Sequence, residues 1–285
     1  MTNRVDALLV GYGQMGTVIA ERLPAPKLTV YDVDPSRRDA ARRAGHGVAD
    51  NLDEKEAPLV ILALPGPPQV NQVVGTLQGT HALVLDTTSV DPDTAAGAAK
   101  SVATGSGRYV EMPVLGGPPQ AGSWVFLAGG ADADVRDATR IVEPLGRVVH
   151  FGPVGSGSRA KLLNNILTGI NAAAVAEVLA LTERLGVDLR TLYEAINGSG
   201  SAGRNAVWEV RVPKILAGTL QDTFSIDLMV KDLKLAVSMA SEAEIPTPVA
   251  SAALDRYVEA VARHWGGRDI GRLAQGLSED GPTGR

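Results

Sequence analysis

The chain has 285 residues, which is long enough for one large domain or two ordinary ones. Charged residues make up 21% and the formal net charge is −5, so neither nucleic acid nor an anionic membrane is expected as a partner. The lack of cysteine excludes disulfides, thiolate metal sites and thiol catalysis, and the four histidines are too widely spaced in sequence to indicate a metal site.

The N-terminal segment MTNRVDALLV has an apolar run that is too short for a signal peptide. No stretch approaches the roughly 18 uninterrupted apolar residues that are typical of a membrane-spanning helix. We therefore expect a cytoplasmic protein without a membrane partner.

The first half of the chain alternates short apolar runs with helical stretches. The runs that predict strands are ALLV (7–10), LTVYD (28–32), LVILAL (59–64), ALVLD (82–86), YVEMPV (109–114), WVFLA (124–128) and RVVHF (147–151). Asp34-Pro35 and Asp91-Pro92 each predict a helix start, with an N-cap followed by proline. This alternation predicts an α/β fold with a Rossmann-type, doubly wound and mostly parallel sheet. Trp124 and Phe126 are expected in the core of this sheet, and a place at the border of a substrate pocket is the alternative for either.

The strand signals end near residue 157. The segment SRAKLLNNILTGINAAAVAEVLALTERLG predicts one long helix, and further helices are predicted over 188–197, 202–217, 225–244 and 247–265. The predicted organisation is a dinucleotide-binding domain over residues 1–157, then an all-helical domain over 158–275 that opens with the long interdomain helix. The polar residues 276–285 predict a flexible tail.

A glycine-rich loop, VGYGQMG, follows the first predicted strand and precedes a helix. Its glycines are Gly11, Gly13 and Gly16, and Gln14 and Met15 lie between them at the predicted helix start. A tight turn, close backbone approach to a pyrophosphate and close helix–strand packing require glycine at this spacing. The loop therefore predicts a dinucleotide site.

Asp32 ends the second predicted strand, where a carboxylate accepts hydrogen bonds from the adenosine ribose hydroxyls. With Asp34 it would repel the 2′-phosphate of NADP, so we expect NAD to be preferred. Arg37 and Arg38 are the opposing signal, because arginine can bind that phosphate, although a solvated helix face is the simpler role for them.

Polar side chains interrupt the start of the long helix, in GSGSRAKLLNNILTG. Lys161 and Asn165 are four residues apart and share one helix face, among residues that are otherwise apolar or small. A lysine that only snorkels to solvent, with asparagines that bridge helices, is the structural alternative to a catalytic role.

Taken in order, the glycine loop, LALPG, LDTTSVDP, PVLGG, GPVGSGSRAKLLNN and LMVKDLKLA resemble the β-hydroxyacid dehydrogenase family. This family includes 3-hydroxyisobutyrate dehydrogenase, tartronate semialdehyde reductase and the N-terminal portion of 6-phosphogluconate dehydrogenase. The resemblance implies that Lys161 is the catalytic lysine and Asn165 its partner. It also implies cofactor contacts at Leu64, Pro65, Gln69, Ser89 and Lys231.

The segment PVLGG resembles a family loop that usually reads proline-valine-serine-glycine-glycine and holds the substrate carboxylate. The resemblance implies that Leu115, Gly116 and Gly117 bind substrate here, with Leu115 in the place of the serine, and that Asn164 assists. Glu111 and Met112 replace the pair that usually precedes this loop.

The implied reaction is oxidation of an alcohol β to a carboxylate, or reduction of the semialdehyde, with Lys161 as general acid and base. Lysine is ordinarily a poor base, but burial and a nearby positive ring both lower the pKa of such an amine. Candidate substrates are 3-hydroxyisobutyrate, tartronate semialdehyde, L-serine and 3-hydroxypropionate. An imine reductase and a non-catalytic NAD-binding protein are the alternatives.

Two further expectations concern the helical half. Lys231 and Lys234 with Asp232 also fit an ordinary solvated charge pattern on a helix. The long helix, rich in alanine and leucine, suggests apolar surface for a second subunit, and the family resemblance points to a homodimer or homotetramer.

Overall fold

The computed structural model describes residues 6–23, 25, 27–52 and 57–275. The predicted flexible tail, 276–285, lies outside these residues. The chain divides into two compact units, Met1–Leu162 and Leu163–Arg285, whereas the sequence placed the domain boundary after residue 157.

Apolar runs of the first unit form nine strands among the described residues. They are β1 (Ala7–Val10), β2 (Leu28–Tyr31), β3 (Gly47–Val48), β4 (Leu59–Leu62), β5 (Leu83–Asp86), β6 (Arg108–Glu111), β7 (Val114–Leu115), β8 (Trp124–Gly129) and β9 (Gly146–Gly152). Every residue of β1, β4 and β5 is buried, as expected for strands covered on both faces.

The strand order is β3-β2-β1-β4-β5-β6-β8-β7, with β9 paired to β8. Strands β1 to β6 pair in parallel, β8 runs antiparallel to β6 and β7, and β9 is parallel to β8. The order reverses between β1 and β4, so the carboxyl ends of these two strands form the edge where open α/β sheets bind ligands. The predicted fold class is confirmed.

Five α-helices within the described part of the first unit pack on this sheet. They are α1 (Gln14–Arg22), α2 (Pro35–Arg43), α3 (Pro67–Thr76), α4 (Pro92–Ala103) and α5 (Asp132–Val142). Both predicted caps are confirmed, since Asp34 Oδ1 accepts from Ser36 N at 2.8 Å and Asp91 Oδ1 from Thr94 N at 2.7 Å.

Alternate residues of one strand serve cores on opposite faces of the sheet. Leu9 packs with Ile19, Trp124 and Phe126 on one face, while Leu8 belongs to the core of the other face. Trp124 and Phe126 are fully buried, which confirms their predicted core role.

One predicted strand is wrong in extent. Residues 109–114 form two strands, β6 and β7, which pair with opposite ends of β8, at Gly129 and at Phe126. Pro113 lies between them, and proline lacks the N–H that a continuous ladder requires. The two-residue strand β3 was not predicted, because Gly47-Val48 is too short to give a periodic signal.

The long helix α6 (Ser156–Arg184) confirms the prediction of a single helix after residue 157. The second unit continues with α7 (Leu189–Gly198), α8 (Ala206–Leu216), α9 (Ile226–Glu242) and α10 (Pro248–Ala262). By length and composition α6 could cross a membrane, but core helices of soluble proteins meet the same criterion.

Candidate active site

The glycine loop connects β1 to α1 and lies against the end of β4. Gly11 has φ of +99°, and a Cβ on it would be 2.3 Å from the carbonyl oxygen of Ala63. A Cβ on Gly16 would be 2.0 Å from the carbonyl oxygen of Gly11. The fold itself therefore requires both glycines, for the turn and for helix–strand packing.

Gly13 is different, because its own surroundings do not demand glycine. A Cβ there would meet only Arg37 Nη1, at 3.5 Å. Gly13 is the N-cap of α1, so the helix N-terminus that opens with Gln14 and Met15 follows it directly. Open space at the middle glycine beside a helix N-terminus fits a pyrophosphate group, which needs close backbone approach.

Asp32 follows β2 at the same sheet edge and is 4% exposed. Its Oδ2 accepts from Tyr12 N at 2.7 Å and its Oδ1 from Asp34 N at 2.9 Å, so the carboxylate fastens the glycine loop to the end of β2. Arg37 Nη1 lies 3.6 Å from Asp32 Oδ2.

The expectation that Arg37 and Arg38 both lie on a solvated helix face is wrong for Arg38. Its side chain is 18% exposed, and Nη1 donates to the backbone oxygen of Asp32 at 2.7 Å. Arg37 is half exposed and also approaches Asp34, with Nε 3.8 Å from Oδ2.

The segments after β4 and β5 complete this edge. Leu64 N donates to Thr88 Oγ1 at 3.1 Å, which joins the loop of Leu64 and Pro65 to the segment that carries Ser89. Pro65 is exposed, as is Gln69 in the first turn of α3. The structure thus places the predicted cofactor residues of the first unit at the carboxyl edge of β1, β2, β4 and β5.

The predicted substrate loop, Leu115–Gly117, follows β7 and is held by Trp124. Trp124 Nε1 donates to the Gly117 oxygen at 2.7 Å, and a Cβ on Gly116 would be 2.8 Å from the indole. Gly117 N donates to Gln120 Oε1 at 2.8 Å, so this amide already has an acceptor within the loop.

Lys161 lies beside that loop, within the first unit. Its Nζ donates to the Val114 oxygen at 2.8 Å, and Val114 directly precedes Leu115. The side chain is half-buried. The carbonyl oxygen fixes the position of the amine next to the residues predicted to bind substrate.

Glu111 was noticed in the sequence only as a departure from the family pattern, and its role was missed. It is 1% exposed, and Oε1 accepts from Gly157 N at 3.0 Å while Oε2 accepts from the Ser158 hydroxyl. Burial raises the pKa of Glu111, against the opposing effect of these hydrogen bonds. Glu111 therefore holds the first turn of α6, one turn before Lys161.

In the second unit, Asn165 and Lys231 meet through a residue that the sequence suggested to be solvated. Asp232 is 2% exposed, its Oδ2 accepts from Asn165 Nδ2 at 2.6 Å, and its Oδ1 lies 2.7 Å from Lys231 Nζ. Asn164 Nδ2 donates to Asn165 Oδ1 at 3.1 Å. The expectation that this charge pattern lies on a solvated helix face is wrong for Asp232, whereas Lys234 is exposed as expected.

Two family models together match residues 7–276. The NAD binding domain of 6-phosphogluconate dehydrogenase matches residues 7–154, and the NAD-binding profile of NADP-dependent 3-hydroxyisobutyrate dehydrogenase matches residues 155–276. The first of these spans the glycine loop and Asp32, and the second spans Lys161, Asn165 and Lys231.

Curated relatives match over nearly their full length. The 2-(hydroxymethyl)glutarate dehydrogenase of Eubacterium barkeri is 30% identical over 284 residues, covering 95% of this chain and 94% of the relative. The mitochondrial 3-hydroxyisobutyrate dehydrogenase of Mus musculus is 28% identical over 300 residues, covering 99% of this chain and 90% of the relative.

A solved structure shares the fold. The 3-hydroxyisobutyrate dehydrogenase of Mycobacterium tuberculosis, described with L-serine, superposes with a TM-score of 0.84 at 24% identity, covering 96% of this chain and 99% of the other. The chain belongs to the β-hydroxyacid dehydrogenase family and is an NAD(P)-dependent oxidoreductase that acts on CH–OH groups.

Proposed function

We propose that the protein interconverts a small β-hydroxy acid, similar to 3-hydroxyisobutyrate, and its semialdehyde, with Lys161 as the general acid and base. The observation that carries this proposal is the 2.8 Å hydrogen bond from Lys161 Nζ to Val114 O. It holds an amine next to the Leu115–Gly117 loop, in the unit that also carries the glycine loop.

Bound NAD(P) would supply the hydride acceptor or donor. Lys161 handles the proton: the neutral amine accepts the hydroxyl proton at Nζ during oxidation, and the ammonium returns it to the carbonyl oxygen during reduction. The ammonium charge also stabilises negative charge developing on that oxygen. Asn165, one turn later on α6, orients the substrate without competing for the proton.

The substrate carboxylate is proposed to bind the backbone of Gly116 and Gly117, with Asn164 assisting. Leu115 gives an apolar contact where the family usually supplies a hydroxyl donor. To bind Gly117 N, the carboxylate must displace Gln120 Oε1, which belongs to an exposed side chain.

We propose that NAD is preferred over NADP. Support comes from Asp32, whose carboxylate would repel a 2′-phosphate from the end of β2, with Asp34 two residues later. Arg37 approaches both carboxylates and offsets part of that charge. Comparable kcat/KM with NAD⁺ and NADP⁺ would contradict this preference.

We also propose that the protein is a cytoplasmic homodimer or homotetramer. Leu163, Leu167, Val178 and Leu181 of α6, and Leu185 directly after its last residue, are between 40% and 73% exposed. At 100° per residue they fall within about 60° of the helix circumference, so they form one apolar stripe. Such a stripe is suited to a second copy of the chain. Light scattering that shows a monomer at micromolar concentration would contradict this.

The test of the reaction is a panel of β-hydroxy acids, semialdehydes and cyclic imines with both cofactors, scored as kcat/KM. Lys161→Ala is expected to lower kcat on the best hydroxy acid at least about 100-fold while NAD still binds. Lys100→Ala, an exposed lysine of α4, is the matched control. Activity retained in Lys161→Ala, activity only on imines, or cofactor binding without any turnover would each contradict the proposal.

A further inference from the structure

The contact between Asn165 and Asp232 joins two helices of the second unit. Asp232 lies on the buried face of α9, next to Leu233, which is fully buried. The 2.6 Å distance from Asn165 Nδ2 to Asp232 Oδ2 is short for a nitrogen donor, as is usual where the acceptor is charged.

Close packing one turn further along α6 restricts the separation of the two helices. A Cβ on Gly169 would be 2.9 Å from Leu233 Cδ1 and 3.1 Å from Met229 Sδ, so α9 rests directly on the backbone of α6. The Tyr257 hydroxyl donates to the Gly169 oxygen at 3.0 Å and adds a third helix to the contact. The carboxylate of Asp232 is therefore held in place against Asn165.

The chemistry of the pair determines which end of the amide faces which way. An ionised carboxylate can only accept hydrogen bonds, so the NH₂ group of Asn165 must point toward Asp232. The amide oxygen consequently points elsewhere, and it accepts from Asn164 Nδ2 at 3.1 Å. The ammonium of Lys231, 2.7 Å from Asp232 Oδ1, offsets the cost of burying the charge.

In the free protein Asn165 is 2% exposed and its oxygen accepts from Asn164 Nδ2, which leaves one lone pair of that oxygen. We propose that Asp232 is a positioning residue that fixes the amide of Asn165, so that this second lone pair accepts from the bound substrate. This inference rests on the proposed function, because it takes Asn165 to contact the substrate. An acceptor selects ligands that carry an O–H at the reacting carbon. The pair Asp232–Asn165 thus favours the hydroxy acid over an analogue of equal size that has no hydrogen to donate.

The experiment compares two ligands that cannot react in the NADH-bound enzyme, 3-hydroxypropionate and 3-fluoropropionate, by titration calorimetry. Fluorine is close to a hydroxyl in size but donates no hydrogen bond. In the wild type we expect the hydroxy acid to bind about 3- to 10-fold more tightly, which is the value of one net hydrogen bond. Asp232→Asn should reduce this ratio at least about 2-fold, because a neutral amide partner no longer dictates the orientation of Asn165.

If Asp232 had only a structural role, Asp232→Asn would weaken the binding of both ligands alike and leave the ratio of their affinities unchanged. That result would overturn the proposal. Asn165→Ala should lower the ratio as far as Asp232→Asn does, leaving only the part that Lys161 contributes, and the double variant should match Asn165→Ala alone because both changes act through one amide. Additive effects would count against the proposal. Asp232→Glu, which retains a carboxylate acceptor, should give a ratio between that of Asp232→Asn and that of the wild type. The control is Glu242→Gln, which changes an exposed carboxylate on the same helix and should leave the ratio at the wild-type value.

An NMR measurement on the free enzyme separates this inference from the proposed function. The side-chain NH₂ signals of Asn165, identified by their loss in Asn165→Ala, should include one proton shifted downfield by the carboxylate. Asp232→Asn should remove that shift, and an unchanged signal would overturn the inference even if the enzyme turns over hydroxy acids. If neither ligand binds but the shift is present and depends on Asp232, the fixed amide stands and the proposed substrate class fails.

Discussion

The carboxylate of Glu111, at the end of β6, caps the first turn of α6 by accepting a 3.0 Å hydrogen bond from Gly157 N. It also accepts from the Ser158 hydroxyl, and a Cβ on Gly129 would be 2.2 Å from Glu111 Oε1. The β-strand and the helix that carries Lys161 are thereby joined through a buried acid.

The free energy of unfolding of Glu111→Gln is expected to increase relative to that of the wild type as pH rises. Burial raises the pKa of Glu111 above its ordinary value, so the folded state favours the neutral acid. The stability that this group contributes is complete below its unfolded pKa and is lost as pH rises through the folded pKa. Glutamine keeps an acceptor for Gly157 N and gives Ser158 a donor, without the charge.

The measurement is urea denaturation of both proteins between pH 4 and 8. The difference in unfolding free energy should move in favour of Glu111→Gln across the range in which Glu111 ionises. A constant difference at every pH would show that Glu111 is not the titrating group. Glu21→Gln, an exposed glutamate of α1, provides the control.

Gly11→Ala and Gly13→Ala are expected to separate folding from cofactor binding. Gly11 combines φ of +99° with a 2.3 Å approach to Ala63 O, so alanine there should lower the free energy of unfolding by about 2 kcal/mol or more. At Gly13 the new Cβ meets only the end of Arg37, so the variant should fold normally. Its methyl group would occupy space that the pyrophosphate needs, so NADH affinity should fall at least about 10-fold.

Thermal unfolding and NADH fluorescence titration measure the two effects. Normal cofactor affinity in Gly13→Ala would indicate that the dinucleotide does not approach this part of the loop. A thermal midpoint of Gly11→Ala equal to that of the wild type would mean that the loop can relax away from β4.

The strand ends and helix starts were predictable because the signals are local. Asp34 and Asp91 cap helices two or three residues away, and the apolar runs of β1 and β4 need no knowledge of partners. The split between β6 and β7 was also available in the sequence, in Pro113, but the apolar character of 109–114 concealed it.

The roles of Glu111 and Asp232 were not predictable, because each depends on a partner far along the chain. Glu111 meets α6 46 residues later, and Asp232 meets Asn165 67 residues earlier. A charged residue such as Asp232 looks solvated until the helix face that it occupies is known. Burial by another element, as at Asp232 beside Gly169, is a property of the tertiary fold.

Asp269→Asn is expected to destabilise the second unit by about 3 kcal/mol at pH 7, in the range measured when one partner of a buried ion pair is removed. Asp269 is fully buried and accepts from Arg211 Nε at 2.8 Å, Phe224 N at 3.0 Å and Gly271 N at 2.9 Å. Burial acts to raise the pKa of Asp269, but these hydrogen bonds outweigh it and leave the pKa below its ordinary value.

A lowered folded pKa means that the contribution of Asp269 is complete above the unfolded pKa and is lost as pH falls through the folded value. The gap between wild type and Asp269→Asn should therefore narrow when urea denaturation is repeated at pH 3. Asp255→Asn, exposed on α10, should leave the free energy of unfolding unchanged at both pH values. An equal gap at pH 7 and pH 3 would assign the stabilisation to packing alone.

Gln120→Ala is expected to lower the KM for carboxylate substrates. In the free enzyme Gln120 Oε1 accepts from Gly117 N at 2.8 Å, so a carboxylate that binds this amide first breaks an existing hydrogen bond. Removing one exposed neutral hydrogen bond is worth about 0.5 to 1 kcal/mol, which corresponds to a KM decrease of about 2- to 5-fold. Gln120→Glu should raise the KM instead, because a fixed negative charge at Gly117 N repels the incoming carboxylate.

Initial-rate kinetics on the best hydroxy acid should give KM values that rise in the order Gln120→Ala, wild type, Gln120→Glu. The control is Gln78→Ala, which changes an exposed glutamine outside this loop. A higher KM in Gln120→Ala would instead mean that the side chain of Gln120 itself binds the substrate.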